Sequence, residues 1–178
     1  MKNFFLDLGT QPITNAFLTE DKFDDEYFYN LSLGMDEDTK LVSLMETVKP
    51  ELMFNDVYAH RASMSGTMRN SFKEVAESLV KQFMPMKVLE VGSNDGVFIR
   101  NFSKEAIVAI EPCENLADIT SAMGYKTYCD FWDISTANII VSNHGEMDLI
   151  YSANTISHIE NIVEVFKAVD FSLSDEGV

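Results

Sequence analysis

Nine consecutive residues, VLEVGSNDG from Val88 to Gly96, constrain this chain's fold more tightly than any other stretch. An apolar burst interrupted only by Glu90 reads as a strand buried on both faces, and Gly92 at its end lets the backbone turn without a Cβ in the way. Gly96 permits close packing of the element that follows. The order predicted is strand, tight turn, helix, with VFIRNF as the helix and a ligand at the strand's carboxyl edge.

The same alternation continues downstream. AIVAIE reads as a second buried strand, ENLADITSAM as a helix, YKTYCDFW as a third strand, TANIIVSNHGEM as a helix and turn, and DLIYSA as a fourth strand. A last helix places Ile162, Val165, Phe166 and Val169 on one face. Continuous apolar strands alternating with helices predict an α/β class: a parallel sheet covered on both faces, joined by right-handed crossovers.

Upstream, Phe72, Val75, Ala76, Leu79, Val80 and Phe83 recur at helical spacing and Pro85 marks the stop. Before that helix, FFLDLGTQPITNAFL reads as a short strand broken by Gly9 and Pro12, and EYFYNLSLGM with KLVSLMETV as a hairpin over the acidic turn Asp36 to Thr39. The domains expected are a small β-hairpin domain over 1–50, a connecting segment and amphipathic helix over 51–85, and a Rossmann-like domain over 86–178.

A chain of 178 residues with 46% hydrophobic residues and only 4 Pro can build a real core. Its formal charge of −16 argues against wrapping a phosphate backbone, so nucleic acid is excluded as a partner. The two cysteines, Cys113 and Cys129, form no Cys-x-x-Cys pair, so neither a disulfide framework nor a closed zinc site is expected. No stretch has the length of a membrane span or the form of a signal peptide. The expected location is the cytoplasm.

The loop after the first strand lacks the middle glycine of Gly-x-Gly-x-x-Gly, on which a dinucleotide pyrophosphate rests. Ser93 and Asn94 stand there instead, between Glu90 and Asp95. Acidic groups suit a cation, such as a sulfonium with its ammonium group, and point to S-adenosylmethionine. Glu111, with Pro112 after it, ends the second strand nineteen positions past Gly92, near the spacing that sets a carboxylate on a ribose diol. Asp130 and Phe131 end the third strand, where they can meet an adenine amino group and ring face. Ser152, Ala153 and Asn154 end the fourth, beside the expected methionine moiety. Singly, each is a turn residue or a core aromatic; as an ordered series at successive strand ends they read as one site.

VLEVGSNDGVFIRNF, AIEP, GYKTYCDFW and DLIYSANTISHIEN together resemble the C-methyltransferases that act on nucleotide-linked deoxysugars. FLDLGTQPITNAFL is similar to that family's FLDLGxQPLANxFL opening, and LMFNDVYAHRASMSGTMRNSF to its Tyr-x-Tyr-x-Ser-Ser-x-Ser-x-Thr-Met signature. The resemblance covers almost the whole chain. It implies Gly92, Asn94, Asp95 and Gly96 as cofactor-loop positions, Glu111 as the ribose ligand, and Asp130, Phe131 and Asn154 as further cofactor contacts. Tyr58, Ser63 and Ser65 fall on the signature that borders the pocket, and His60 stands where the family has a second Tyr. Tyr58 and His60 are therefore the candidate catalytic residues. The implied substrate is a small molecule, a nucleotide-linked keto-deoxysugar.

The departures from that family are specific. Its N-terminal domain binds zinc through two Cys pairs, whereas this chain has MDEDTK in place of the second pair; no metal is expected. Its Tyr-His-Glu-His segment, implied as the source of the catalytic base, has no counterpart, and the chain stops at EGV where a fifth strand is expected. That leaves MDLIYSA as an apolar sheet edge. A truncated product, a split enzyme completed by a separate C-terminal half, and a homodimer through that edge are all open. The rival readings are a non-catalytic partner module that keeps the methyltransferase fold and, disfavoured by the loop, a nicotinamide dehydrogenase.

Overall fold

The computed structural model describes residues 2–178, which divide into two compact units between Phe54 and Asn55. In the first, β1 (Lys2–Pro12), β2 (Phe28–Asp36) and β3 (Val42–Leu44) form an antiparallel sheet in the order β1-β2-β3. The expected hairpin is β2 and β3. Asp36 closes its turn: Oδ1 accepts from the backbone N–H groups of Asp38 at 3.1 Å and Thr39 at 2.9 Å, and from the Thr39 hydroxyl at 3.0 Å. These bonds, led by the Thr39 backbone, hold the Asp36 carboxyl down to about 2.

The lead-in segment departs from expectation, since it is one strand of 11 residues and not a short strand broken at Gly9. Register shifts between Phe4 and Leu6 and between Asp7 and Thr10 absorb the irregularity as bulges. Gly9 takes φ +73° within the second of them, and its N–H donates to Asp7 Oδ1 at 2.7 Å. A short helix, α1 (Pro50–Met53), closes the unit.

The second unit carries α2 (Gly66–Phe83), then β4 (Val88–Val91), β5 (Ile107–Ile110), α3 (Glu114–Ala122), β6 (Lys126–Tyr128), α4 (Ile134–His144), β7 (Leu149–Tyr151) and α5 (Ile162–Ser172). Its four strands are all parallel, in the order β6-β5-β4-β7. The strand alternation sorts the core into two layers. Val88, Ile107, Ala109 and Leu149 pack with Phe72 and Ala76 of α2 and with Phe98, whereas Leu89, Val91, Val108 and Ile110 pack with Ala137 and Ile140 of α4 and Val165 and Ala168 of α5. Each face of the sheet is thus covered by helix, which is what two-sided apolar strands require.

Three local expectations need correction. VFIRNF makes no α-helix, only turns and a 3-10 segment, Ile99–Asn101. Arg100 donates to the carbonyls of Asp95 and Gly96 at 3.0 and 2.9 Å, and Asn101 Nδ2 to those of Val97 and Phe98 at 3.2 and 2.9 Å. The backbone closes mainly i→i−3 bonds, Asn101 N–H to the Phe98 carbonyl at 3.1 Å and Phe102 N–H to that of Ile99 at 3.0 Å, beside one i→i−4 bond from Arg100 N–H to Gly96 at 3.3 Å. The third strand ends at Tyr128, so Asp130 and Phe131 lie in the loop beyond it, which the Asp133 carboxylate closes by capping α4 through the Thr136 N–H at 2.8 Å. In α5 the buried face runs through Val165, Ala168 and Ser172, leaving Phe166 57% exposed.

Strand β7 is the outer strand on its side of the sheet. Val178 lies along it, donating to the Asp148 carbonyl at 3.0 Å and accepting from the Ile150 N–H at 2.9 Å.

Candidate functional site

The strand order makes β4 the first strand of the sheet, with β5 and β6 laid down on one side of it and β7 on the other. The crevice beyond the carboxyl ends of β4 and β7 is therefore the topological switch point, where open α/β sheets bind ligands. The loop Gly92 to Gly96 sits there. The N–H groups of Gly92 and Ser93 both donate to the Ile110 carbonyl, at 2.9 and 3.0 Å, which ties the loop to the end of β5. Gly92 and Gly96 take φ +79° and +82°, a region an L side chain rarely enters.

What those glycines meet was not readable in the sequence. A Cβ on Gly92 would run into the side chain of Thr155, and one on Gly96 would stand 2.9 Å from Thr120 Cγ2 of α3. Thr155 directly follows Asn154, but only the fold brings it onto the loop.

The acidic residues have unlike environments. Glu90 is 2% exposed, in the middle of β4, and its Oε2 has no hydrogen-bond partner. Burial first, and then the charge of Glu111, push its carboxyl well above the ordinary range. Glu111 is 5% exposed, and burial raises it too, opposed by hydrogen bonds: Oε1 accepts from Cys113 N–H at 2.9 Å and Oε2 from Asn94 N–H at 2.7 Å. Asp95, 3% exposed, is engaged by Ser63: Oδ1 accepts the Ser63 N–H at 3.0 Å and Oδ2 its hydroxyl.

Asn94 and Asp95 thus both hold the segment carrying the two candidate catalytic residues. Asn94 Oδ1 accepts from Ala62 N–H at 2.8 Å, and its Nδ2 donates to the His60 carbonyl at 3.1 Å. Asn115 Nδ2 donates to the Tyr58 carbonyl at 2.9 Å, while its buried Oδ1 has no partner. Residues 58–63 consequently form a strap fixed to the loop and to the first turn of α3. His60 is exposed on it and Tyr58 half-buried. Ser65 caps α2 through the Met68 N–H at 3.2 Å.

The remaining candidates sit around the same strand ends. Ser93 is buried with its hydroxyl unpartnered, and Pro112 is half-buried. Ser152 donates from Oγ to the Val91 carbonyl at 3.0 Å, which ties the end of β7 to β4. Ala153 is half-buried beside it, and Asn154 is exposed at φ +56°. Asp130 is exposed and accepts from the N–H of its neighbour Phe131 at 2.8 Å. Thr155 and Asn115 were not anticipated; the one signal for Asn115 was its place in the first turn after Glu111.

A four-stranded parallel sheet in this order, with a glycine loop at the switch point and a carboxylate ending the next strand, defines the Rossmann-like fold of class I S-adenosylmethionine-dependent methyltransferases. Residues 58–178 match the family described as "Methyltransferase domain", and the chain belongs to that family. Residues 2–54 match the family described as "Putative zinc binding domain". That segment contains neither cysteine nor histidine, and among the described residues no cluster of His, Cys, Asp or Glu could hold a metal ion, so its residues do not fit zinc.

Among solved structures, the chain is similar to the plantazolicin methyltransferase BamL, crystallised with a desmethylplantazolicin analogue and S-adenosylhomocysteine, at 18% identity and a TM-score of 0.50, over 62% of this chain and 44% of that one. It is similar also to a methyltransferase structure from Methanococcus maripaludis, again at 18% identity and 0.50, over 65% and 57%. The chain spans about half the length of these solved relatives. No curated protein matches the sequence. Among the described residues, no helix is long and apolar enough to cross a membrane.

Proposed function

We propose that this chain binds S-adenosylmethionine at the carboxyl ends of β4, β5 and β7 and serves methyl transfer to a small molecule, a nucleotide-linked keto-deoxysugar, at the carbon beside its ketone. The observation that carries the reading is the pairing of the Gly92 to Gly96 loop with Glu111, whose buried carboxylate is already oriented by two backbone N–H groups. The Ser93 hydroxyl of that loop is buried with no hydrogen-bond partner, which fits a polar ligand there.

In this reading Glu111 accepts from the ribose hydroxyls with the lone pairs its backbone donors leave free. Glu90, Ser93 and Ser152 face the amino-acid end, and Pro112, Asp130 and Phe131 the base. S-adenosylmethionine supplies an electrophilic methyl group on a sulfonium. Transfer to carbon needs an α-proton removed from the acceptor, and the exposed His60 imidazole, with the Tyr58 phenol two residues away on the strap, is the group assigned to take it.

Similarity of the signature segment to the sugar C-methyltransferases supports the substrate class. BamL, named for a peptide substrate, marks the competing one. Equilibrium dialysis of the chain against labelled S-adenosylmethionine and NAD tests the cofactor: retention of the first alone is expected, and retention of NAD would overturn it. Incubation with a keto-deoxysugar nucleotide or an azole peptide, read by mass, tests the acceptor. Methylation of the peptide alone would refute the sugar assignment.

A further inference from the structure

Asn94 is the only candidate loop residue that reaches both the strap and Glu111. Its N–H donates to Glu111 Oε2 at 2.7 Å, its Oδ1 accepts from Ala62 N–H at 2.8 Å and its Nδ2 donates to the His60 carbonyl at 3.1 Å. Its φ of +51° is a left-handed conformation that asparagine and glycine tolerate and most side chains do not. Glycine would keep that backbone but lose both strap bonds. Asparagine supplies the turn and the two-way side chain together.

We propose that Asn94 is a positioning residue that couples the 58–63 strap to Glu111, so that a hydroxyl-bearing ligand on Glu111 and the ordering of the strap favour one another. The coupling follows from sharing. A ligand hydroxyl on the Glu111 carboxylate must fit beside the Asn94 N–H, whose place is set by the bonds the same residue makes to Ala62 and His60. By reciprocity, whatever steadies the strap tightens the ligand, and the ligand steadies the strap. Ser63 is held separately by Asp95, which makes it an internal reference. The strap bears the residues assigned to proton removal, and Asn94, which already holds it in the unliganded chain, would hold it more firmly when the ribose position is filled. The direction of the coupling rests on the cofactor reading above; the clamp itself does not.

Residue-resolved amide hydrogen exchange tests this, on the wild-type chain, Asn94→Gly and Asn94→Asp, each with and without S-adenosylhomocysteine. Without ligand, Asn94→Gly should speed exchange at Ala62 by roughly five- to tenfold, the effect of losing one net hydrogen bond, and leave Ser63 unchanged. Asn94→Asp, which keeps the acceptor for Ala62, should restore its protection. S-adenosylhomocysteine should slow Ala62 exchange in the wild type and not in Asn94→Gly, whose affinity should fall by a similar factor. Equal Ala62 exchange in unliganded wild type and Asn94→Gly would overturn the clamp. Equal slowing by ligand in both would overturn the coupling. Absence of ligand binding to the wild type would instead overturn the cofactor reading, and the unliganded comparison would still decide the clamp.

Discussion

Glu90→Gln should stabilise this protein, and should do so increasingly as pH rises. Glu90 is 2% exposed with Oε2 unpartnered, and both burial and Glu111 disfavour its ionised form. In the unfolded chain its carboxyl titrates near the ordinary value of 4.5. Below that pH both states hold the proton and Glu90 contributes nothing to the pH dependence. Above it the unfolded state has released the proton and the folded state keeps it, so ionisation of the unfolded chain favours unfolding. Stability therefore falls with rising pH, by about 1.4 kcal/mol per unit for one proton, until the raised folded value is passed. For a chain of this size that slope is roughly 3 to 5 °C of Tm per pH unit. The Ile99 backbone N–H bonds the Glu90 carboxyl; glutamine is isosteric, can still accept that bond, and carries no proton to lose. Thermal or urea unfolding of both proteins from pH 4 to 8 should show curves that nearly meet at the acid end and diverge upward. Glu111 is raised as well and adds a slope of the same sign to both proteins, so the difference between them isolates Glu90. Parallel curves, or a gap that narrows with pH, would mean that Glu90 does not keep its proton in the folded chain.

Three further outcomes follow from the same contacts. Gly92→Ala should destabilise by about 1–3 kcal/mol, because φ +79° is strained for alanine and the new Cβ meets Thr155; adding Thr155→Ala should relieve the steric part only, as urea midpoints would reveal. Phe98→Ala should cost about 3–5 kcal/mol by the same assay, since Phe98 is fully buried and stacked on Tyr151 with ring centroids 4.0 Å apart. If the sulfonium binds near Glu90, its positive charge should bring that carboxyl back toward ionisation, so S-adenosylmethionine should release protons on binding more than S-adenosylhomocysteine does, measurable by calorimetry in buffers of different ionisation enthalpy.

The sheet was legible because its signal is local. β4, β5 and β7 are short apolar runs bounded by turns, and in a parallel sheet such runs must be buried on both faces. Gly92 and Gly96 could be placed at the turn because positive φ and close approach leave glycine few substitutes. VFIRNF has helical spacing, but its backbone closes i→i−3 bonds, Asn101 N–H to Phe98 and Phe102 N–H to Ile99, so the segment makes a 3-10 turn and no α-helix. Phe166 misled in a similar way: its neighbour Val165 takes the buried position and leaves the larger ring outside.

Within the candidate site, the residue types were readable and their directions were not. Asn94 and Asp95 looked like ligand-facing polar groups, but their side chains hold Ala62 and Ser63, more than thirty positions earlier in the chain. Likewise, Glu90 and Asp95 looked like a paired negative field. One is a buried carboxyl disposed to stay neutral and the other is engaged by Ser63, so the two do not act as a pair. A pattern read along the chain cannot register bonds that only the fold creates.

In the proposed function the crevice at the ends of β4, β5 and β7 holds an S-adenosyl group through the glycine loop and Glu111. Calorimetric titration of the wild-type chain and of Glu111→Ala with S-adenosylhomocysteine addresses it directly, with circular dichroism confirming that both are folded. Saturable one-to-one binding to the wild type, weakened at least tenfold in the variant by about 1.4 kcal/mol or more of lost charge-assisted hydrogen bonding, is the predicted result. A folded wild type that gives no binding, or a variant that binds equally well, would contradict it.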